Sequence, residues 1–296
     1  MNILPIEKQI AVISALTEGV SIRATERLTG IHRDTIMRLG AKIGNGCAVV
    51  HDSMMRDLEV QRIELDEAWS YVGKKQRQVK EGESAEMGDQ YVFMALADSA
   101  KAIVSYSVGK RTAETTRAFV ADLRDRVLGS PEISADAFQA YPVAIDMAFG
   151  LDCSFGTVDK HYAVNGSPEA ARRYSPGEVV AVTKRRVVGR PKHISTSYVE
   201  RQNLTLRMQQ RRFTRLTNGF SKKLENHRAA VSLYVAHYNF CRVHEALRIT
   251  PAMALGVTDH IWTIGELIEA ATNGVIAPKP FGKVIGGFVV IDGGRS

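Results

Sequence analysis

Between residues 61 and 160 the apolar spacing of this 296-residue chain alternates between a period of two and one of 3.6. "QRIELDEAW", "QYVFMALAD" and "AIVSYSVG" read as three successive strands. The amphipathic helix "TAETTRAFVADLRDRVLG", the short strand "EIS", the helix "AFQAYPVAIDMAFG" and the strand "SFGTVDKHY" follow. A meander and then helix, strand, helix, strand is an α/β order in which helices can cover a mixed sheet. The charged stretch from Lys74 to Gln90 is expected as an exposed hairpin loop.

The first 45 residues read as short helices. "EKQIAVISALTEG" sets Ile10, Ile13, Ala15 and Leu16 near one face, and "SIRATERLTG" opens on Ser21 as N-cap and stops at Gly30. "HRDTIMRLGAKIG" follows after a tight turn, with Ile36, Leu39 and Ile43 on one face. Two short helices so separated predict an N-terminal all-α helix-turn-helix domain, with Arg33, Thr35 and Arg38 on the recognition helix and within reach of DNA. A helical bundle that merely packs would have the same pattern.

Charge is unevenly distributed. From Lys184 to Arg228 there are 13 Lys and Arg against two acids, Glu200 and Glu225, while the remainder carries 26 basic and 30 acidic residues. Local positive excess is the footprint of a polyanion, so Lys184, Arg185, Arg186, Arg190 and Lys192, in a stretch read as extended, are assigned to DNA. A long helix is expected from Ser197 to about Arg212, on which Glu200, Asn203, Arg207 and Arg211 share a polar face turned to solvent or DNA. Further helices are expected near Lys222 to Tyr238 and in "HIWTIGELIEAATNG", with a strand or hairpin in "GKVIGGFVVIDGG". The three cysteines, Cys47, Cys153 and Cys241, are too scattered for a disulfide framework or a structural zinc site. No run approaches the roughly 18 apolar residues of a membrane span, and no basic leader precedes the first helix. The chain is expected to be soluble, without contact with a membrane, and cytoplasmic.

Three acids stand in telling positions. Asp66 lies near the centre of the apolar strand "IELDEAW", where an unpartnered carboxylate is costly. Asp136 lies where a strand gives way to a helix, which also suits an N-cap. Glu200 follows Ser197 by three residues, the spacing of a capping box. Each has its structural explanation. Together, two strand aspartates and a glutamate on a flanking helix can converge on a pair of Mg²⁺ ions, for which Mn²⁺ would substitute. Metal between Glu200 and a backbone phosphate would turn repulsion into coordination.

"LDEAWSYVGKK", "SADAFQAY" and "STSYVERQNLTLRMQQRRFTRLTNGFSKK" together resemble the insertion-sequence-one type of transposase, within the DDE transposase and integrase superfamily. The tail "HYNFCRVHEALRITPAMA" adds a pattern seen after the catalytic glutamate in many insertion-sequence transposases. The resemblance covers roughly Glu64 to Thr263. It implies an RNase H-like catalytic core (a mixed five-stranded sheet flanked by helices), two Mg²⁺ ions, and a triad falling on Asp66, Asp136 and Glu200. It further implies release of a 3′ hydroxyl at an element's ends and attack by that hydroxyl on target DNA. Asn203 and Arg207 would lie beside the metal site and touch DNA, and Arg242 and His244 fall in the tail motif. The pattern departs at Ala137, where glycine is more usual, and in the absence of a cysteine-rich N-terminal zinc motif. Asp98, Asp146 and Asp159 remain alternatives for the second acid.

The expected organisation is a helix-turn-helix domain over 1–58, a catalytic domain over 59–256 and a C-terminal helix and tail over 257–296. The expected partners are double-stranded DNA, as element ends and target, and further copies of the chain, since two ends must be handled together; nucleoid association would follow. A non-catalytic DNA-binding regulator and a structure-specific nuclease of the same fold are the competing readings.

Overall fold

The computed structural model describes residues 4–162, 179–214 and 217–274, with the strand segments at 284–285 and 288–289. The helices are α1 (Ile6–Thr17), α2 (Ile22–Thr29), α3 (Arg33–Met54), α4 (Ala113–Arg124), α5 (Ala140–Phe149), α6 (Ser197–Gln209), α7 (Leu224–Ala236), α8 (Pro251–Ala254) and α9 (Ile264–Asn273). After a two-residue strand β1 (Leu58–Glu59), the strands β2 (Arg62–Val72), β3 (Gly88–Ala97) and β4 (Ala102–Gly109) form the expected antiparallel meander. β5 (Val127–Leu128) pairs with β1 outside this sheet. β6 (Glu132–Asp136) and β7 (Ser154–Tyr162) join in parallel beside β2, and β8 (Val179–Val188) returns antiparallel to β7. The order is β4-β3-β2-β6-β7-β8, so the expected five-stranded sheet is corrected to six. The sixth strand is the basic stretch itself, whose exposed backbone pairs with β7 instead of running free. β9 (Val284–Ile285) and β10 (Phe288–Val289) pair as a small hairpin.

Helices cover both faces of the sheet, which is why β3 is buried along most of its length. On one face Phe93 and Ala95 pack with Phe119 and Leu123 of α4 and Tyr141 and Ile145 of α5. On the other, Val92, Met94 and Leu96 meet Val199 and Leu206 of α6 and Val231 and Tyr234 of α7. Strand alternation thus sends successive residues into two separate apolar clusters.

At the N-terminus the local signals hold for α2: the Ser21 Oγ accepts from the Ala24 amide at 3.2 Å, and Gly30 closes the helix at φ 68°. They fail for α3, which does not stop in the low forties but runs 22 residues to Met54. Gly44 and Gly46 are contact points within it. A Cβ on Gly44 would lie 2.1 Å from the Ala229 carbonyl oxygen of α7, and one on Gly46 1.9 Å from the Ala271 carbonyl oxygen of α9. The second half of α3 therefore packs backbone-close on two helices, and Ile43, Cys47, Val50 and Met54 share the core cluster of the sheet. The His51 Nε2 donates to the Ile103 carbonyl of β4 at 3.1 Å.

Asn239, in the wide turn His237–Cys241 after α7, bonds the Ile103 amide and carbonyl at 3.0 and 2.8 Å, next to the register shift between β3 and β4. Its amide substitutes there for a strand partner. Among the described residues no helix is long and apolar enough to cross a membrane.

Candidate active site

β2 and β6 run parallel with Leu65 opposite Ala135, so the next residues along, Asp66 and Asp136, stand side by side. β6 ends at Asp136 while β2 continues to Val72, and the pairing between them ends at Leu65. Glu67 thus lacks a strand neighbour on that side, and its carboxylate reaches the same corner. One carboxylate oxygen from each of Asp66, Glu67 and Asp136 lies within 4.8 Å of the others.

The electrostatics follow from that crowding. Burial pushes the Asp66 carboxyl up to about 6, the charges of Asp136 and Glu200 add to the rise, and hydrogen bonds from the Glu67 amide and Asn203 oppose it. Burial, then the charge of Asp136, pushes Glu67 up to about 7, with Arg111 opposing. Asp136 is also raised, chiefly by burial, against its bond from the Phe138 amide at 3.0 Å and the charge of Arg111. The Arg111 Nη2 lies 3.2 Å from Asp136 and 3.4 Å from Glu67, and its guanidinium stacks 4.0 Å over the Phe138 ring. Asp136 does not cap α5, whose N-cap is Gln139.

α6 is pinned across this corner by β2. The Glu64 Oε2 accepts from the Tyr198 and Val199 amides at 2.7 and 3.0 Å, a carboxylate against a helix N-terminus. This corrects the capping box: Thr196 is the N-cap, and the Ser197 amide, which Glu200 was expected to accept from, donates instead to the Ser195 Oγ at 3.2 Å. One turn further along, the Asn203 Nδ2 donates to the Asp66 Oδ2 at 2.7 Å. Glu200 lies between these ties. It accepts from the Thr196 hydroxyl at 2.6 Å and is ion-paired to the Lys160 ammonium of β7, which is 2.5 Å from its Oε2.

Asp66 and Asp136 therefore come together as expected, and the tight cluster is completed by Glu67. Glu200 stands one step out, held by Lys160, yet near enough that its charge raises both aspartates. The basic segment's lone central acid has a lysine for its cation. Asn203 is a second correction: it is buried, turned onto Asp66 and away from solvent. Arg207 is half-buried on α6, whereas Arg211 is exposed in the turn Arg211–Phe213 beyond the helix end. Arg33 and Arg38 are exposed and Thr35 half-buried near the start of α3. Lys184, Arg185 and Arg186 are exposed on β8, with Arg190 and Lys192 exposed after it. Asp98 is buried against Arg62 at 2.7 Å, just past the end of β3 where Ala97 pairs with Ile63, and so lies away from the corner of Asp66 and Asp136. Asp146 lies on α5 and Asp159 on β7.

Sequence reasoning missed Glu64, Glu67, Arg111 and Lys160. Glu64 and Glu67 flank Asp66 in "IELDEAW", so three acids in one short strand was the available signal. Nothing local pointed to Arg111 or Lys160.

The donor set suits a hard divalent cation. It is all carboxylate and its members repel one another, the charge of Asp136 adding to the rise that burial gives Asp66 and Glu67. Asp66, Glu67 and Asp136 would hold such an ion, with Glu200 adjacent.

No family model matches the chain. It is 25% identical over 177 residues to the insertion element iso-IS1n protein InsB of Shigella dysenteriae, a match covering 60% of this chain and 95% of that protein. Among solved structures it is similar to the piggyBac transposase synaptic complex with hairpin DNA (TM-score 0.43, 11% identity, 90% of this chain and 69% of that one). A second is the Mos1 strand transfer complex (TM-score 0.23, 12% identity, 80% and 79%). The resemblance to the insertion-sequence-one type is borne out by the first of these relations, which spans nearly the whole insertion-element protein.

Proposed function

We propose that the chain is a DDE-type DNA transposase, with an RNase H-like core over 59–256, a helix-turn-helix domain over 1–58 that recognises DNA ends, and a C-terminal helix and tail over 257–296. The observation that supports it most is the corner where Asp66 and Asp136 meet on adjacent parallel strands, beneath a helix that β2 itself fastens through Glu64 and Asn203.

In this reading Asp66, Asp136 and Glu200 are the catalytic acids and would hold the metal, Glu67 crowds the same corner, and Lys160 neutralises Glu200. Two Mg²⁺ ions, when bound, would stabilise charge on the attacking and leaving oxygens of a phosphodiester. Water attacks phosphorus at the element's end and the 3′ oxygen leaves as a hydroxyl. That hydroxyl then attacks a target phosphodiester and displaces its 3′ oxygen, with no covalent bond to protein. Arg33, Thr35 and Arg38 on α3, the exposed cations of β8 and its following segment, and Arg207 and Arg211 grip the DNA backbone. Two ends must be joined, so the working form is a homo-oligomer associated with the nucleoid.

The test is nicking of supercoiled plasmid in Mg²⁺ or Mn²⁺, beside an EDTA control and the variants Asp66→Asn and Glu200→Gln. The expected result is nicking by the parent chain alone, with DNA affinity nearly unchanged in both variants. Cutting that survives either substitution would remove that acid from the triad. Salt-sensitive binding with no cutting, even with cognate ends, would favour the regulator reading.

A further inference from the structure

The tail motif from Tyr238 to Pro251 supplies no acid to the carboxylate corner, yet it is firmly built. Its loop folds back on itself: the His244 amide donates to the Ile249 carbonyl at 3.0 Å, and the His244 carbonyl accepts from the Leu247 and Arg248 amides at 3.0 and 2.8 Å. The Thr250 hydroxyl caps α8 by accepting from the Met253 amide at 3.2 Å, with Pro251 in the first turn. The Tyr238 hydroxyl donates to the Lys101 carbonyl at 2.9 Å, which ties the motif to the turn between β3 and β4. Lys101 holds φ 54° there, and its ammonium lies 3.1 Å from the centre of the Tyr198 ring of α6.

Three nitrogens of this short segment are buried without a hydrogen-bond partner among the described residues: His237 Nδ1, Arg242 Nη1 and His244 Nδ1. The charge of Arg242 bears on both imidazoles and on the Tyr234 and Tyr238 hydroxyls, so its guanidinium lies among them. Burial first, and then the charges of Lys101 and Arg242, hold His244 below its ordinary range. Lys101, Arg242 and His244 thus converge. The acids nearby are engaged or turned out: Asp98 is paired with Arg62 at 2.7 Å, and Glu245 is exposed beside His244. Among the described residues no carboxylate lies within ion-pair distance of Lys101, Arg242 or His244. A half-buried guanidinium without a counter-ion is costly, and unmade hydrogen bonds on buried nitrogens add to the cost.

We propose that Lys101, Arg242 and His244 form a phosphate site, separate from the carboxylate corner, in which Arg242 and His244 donate from their unpartnered nitrogens. Guanidinium and ammonium groups take phosphate oxygens through charge-assisted hydrogen bonds, and a neutral imidazole donates through whichever nitrogen holds its proton. Two cations without an acid between them repel a metal ion and attract an oxyanion. Tyr198 and Val243 are each 43% exposed, so the cluster borders solvent. The phosphate has two possible sources, the backbone of DNA and a free phosphate ion. Tyr198 and Glu200 share the first turn of α6, so a DNA strand at the carboxylate corner runs close to the cluster. The phosphate site goes beyond the transposase reading and stands without it.

The test uses the full chain in EDTA, melted in sodium phosphate or in sodium chloride at equal ionic strength. Phosphate should raise Tm more in the parent than in Arg242→Met, Lys101→Asn or His244→Gln, since its general salting effect is common to all four. Asn suits the left-handed backbone at position 101. In calorimetric titration with inorganic phosphate, Arg242→Met should lose about tenfold or more in affinity, the scale of one charged hydrogen bond. With the lone charge gone, its Tm in chloride should equal or exceed the parent's. An equal response to phosphate in the parent and all three variants would overturn the proposal. The salt dependence of DNA binding then separates the sources, because each backbone phosphate contributes about 0.9 to the slope of log affinity against log salt. A slope reduced by about that amount in Lys101→Asn assigns the site to the DNA backbone. An unchanged slope, with phosphate binding lost, assigns it to the free ion. Absence of DNA binding with the phosphate response intact removes the DNA reading alone.

Discussion

The Asn203 side chain of α6 donates to the Asp66 carboxylate of β2 at 2.7 Å, so a helix residue and a strand acid 137 positions apart act as one unit. The bond favours the charged form of Asp66, and losing it leaves a largely buried oxygen unpaired. Asn203→Ala should cost roughly 1–3 kcal/mol in urea unfolding. It should also move the pH midpoint of Mn²⁺ binding upward. A stability loss with an unmoved midpoint would make Asn203 a packing residue only.

Glu64 is the other fastening. Replacing it with Ala removes the acceptor for the Tyr198 and Val199 amides and the charge at the start of α6, a loss of about 1–2 kcal/mol. Glu64→Gln keeps an acceptor and should lose less. Hydrogen exchange at those two amides is the direct readout, and unchanged protection in Glu64→Ala would refute the cap.

The raised carboxyls set a pH dependence. Asp66 and Glu67 move from ordinary values of 3.8 and 4.5 up to about 6 and 7. The folded chain therefore holds extra protons, and the stability this confers is full below about pH 4 and lost as pH rises through 6 to 7. In EDTA, Tm should fall over that window as the unfolding free energy drops by on the order of 3 kcal/mol for each group. Asp66→Asn and Glu67→Gln should flatten the fall and raise Tm at pH 8. Mn²⁺ should stabilise the parent chain at pH 8 and have little effect at pH 5, where protons compete. A Tm insensitive to Mn²⁺ at pH 8 would argue against a metal site at this corner.

Gly44→Ala and Gly46→Ala test the seam between α3 and its neighbours. Each added methyl would lie about 2 Å from a backbone carbonyl, so the helices must part. Each variant should lose more than about 2 kcal/mol despite the better helix propensity of alanine. Gains of a few tenths in denaturant melts would show that the seam gives way easily.

The core order was legible because its strands and helices have clean periods, and Asp66 and Asp136 were legible as acids in or beside apolar strands. Glu67 was not, since pleat alternation sends it to the face opposite Asp66; only the early end of β6 lets it reach the shared corner. Glu200 was read as facing a metal ion; its partner in the fold is Lys160, 40 positions away and beyond any local pattern. Asn203 has the spacing of a solvent-facing polar residue, and burial on Asp66 is a tertiary fact. Gly44 and Gly46 look like helix stops until the carbonyls of Ala229 and Ala271 are set against them.

The unbroken length of α3 has a mechanical consequence. At 22 residues it spans about 33 Å, from exposed Arg33 and Arg38 to the core residues around Met54. Backbone contact at two glycines denies it a hinge in its second half. Whatever the outer end of α3 grasps is thereby held at a set distance and a set angle from Asp66 and Asp136, as on a caliper. One residue inserted at its middle would turn the outer end by about 100°. The spacing between that outer end and the carboxylate corner is a property of helix geometry, tunable only in whole turns.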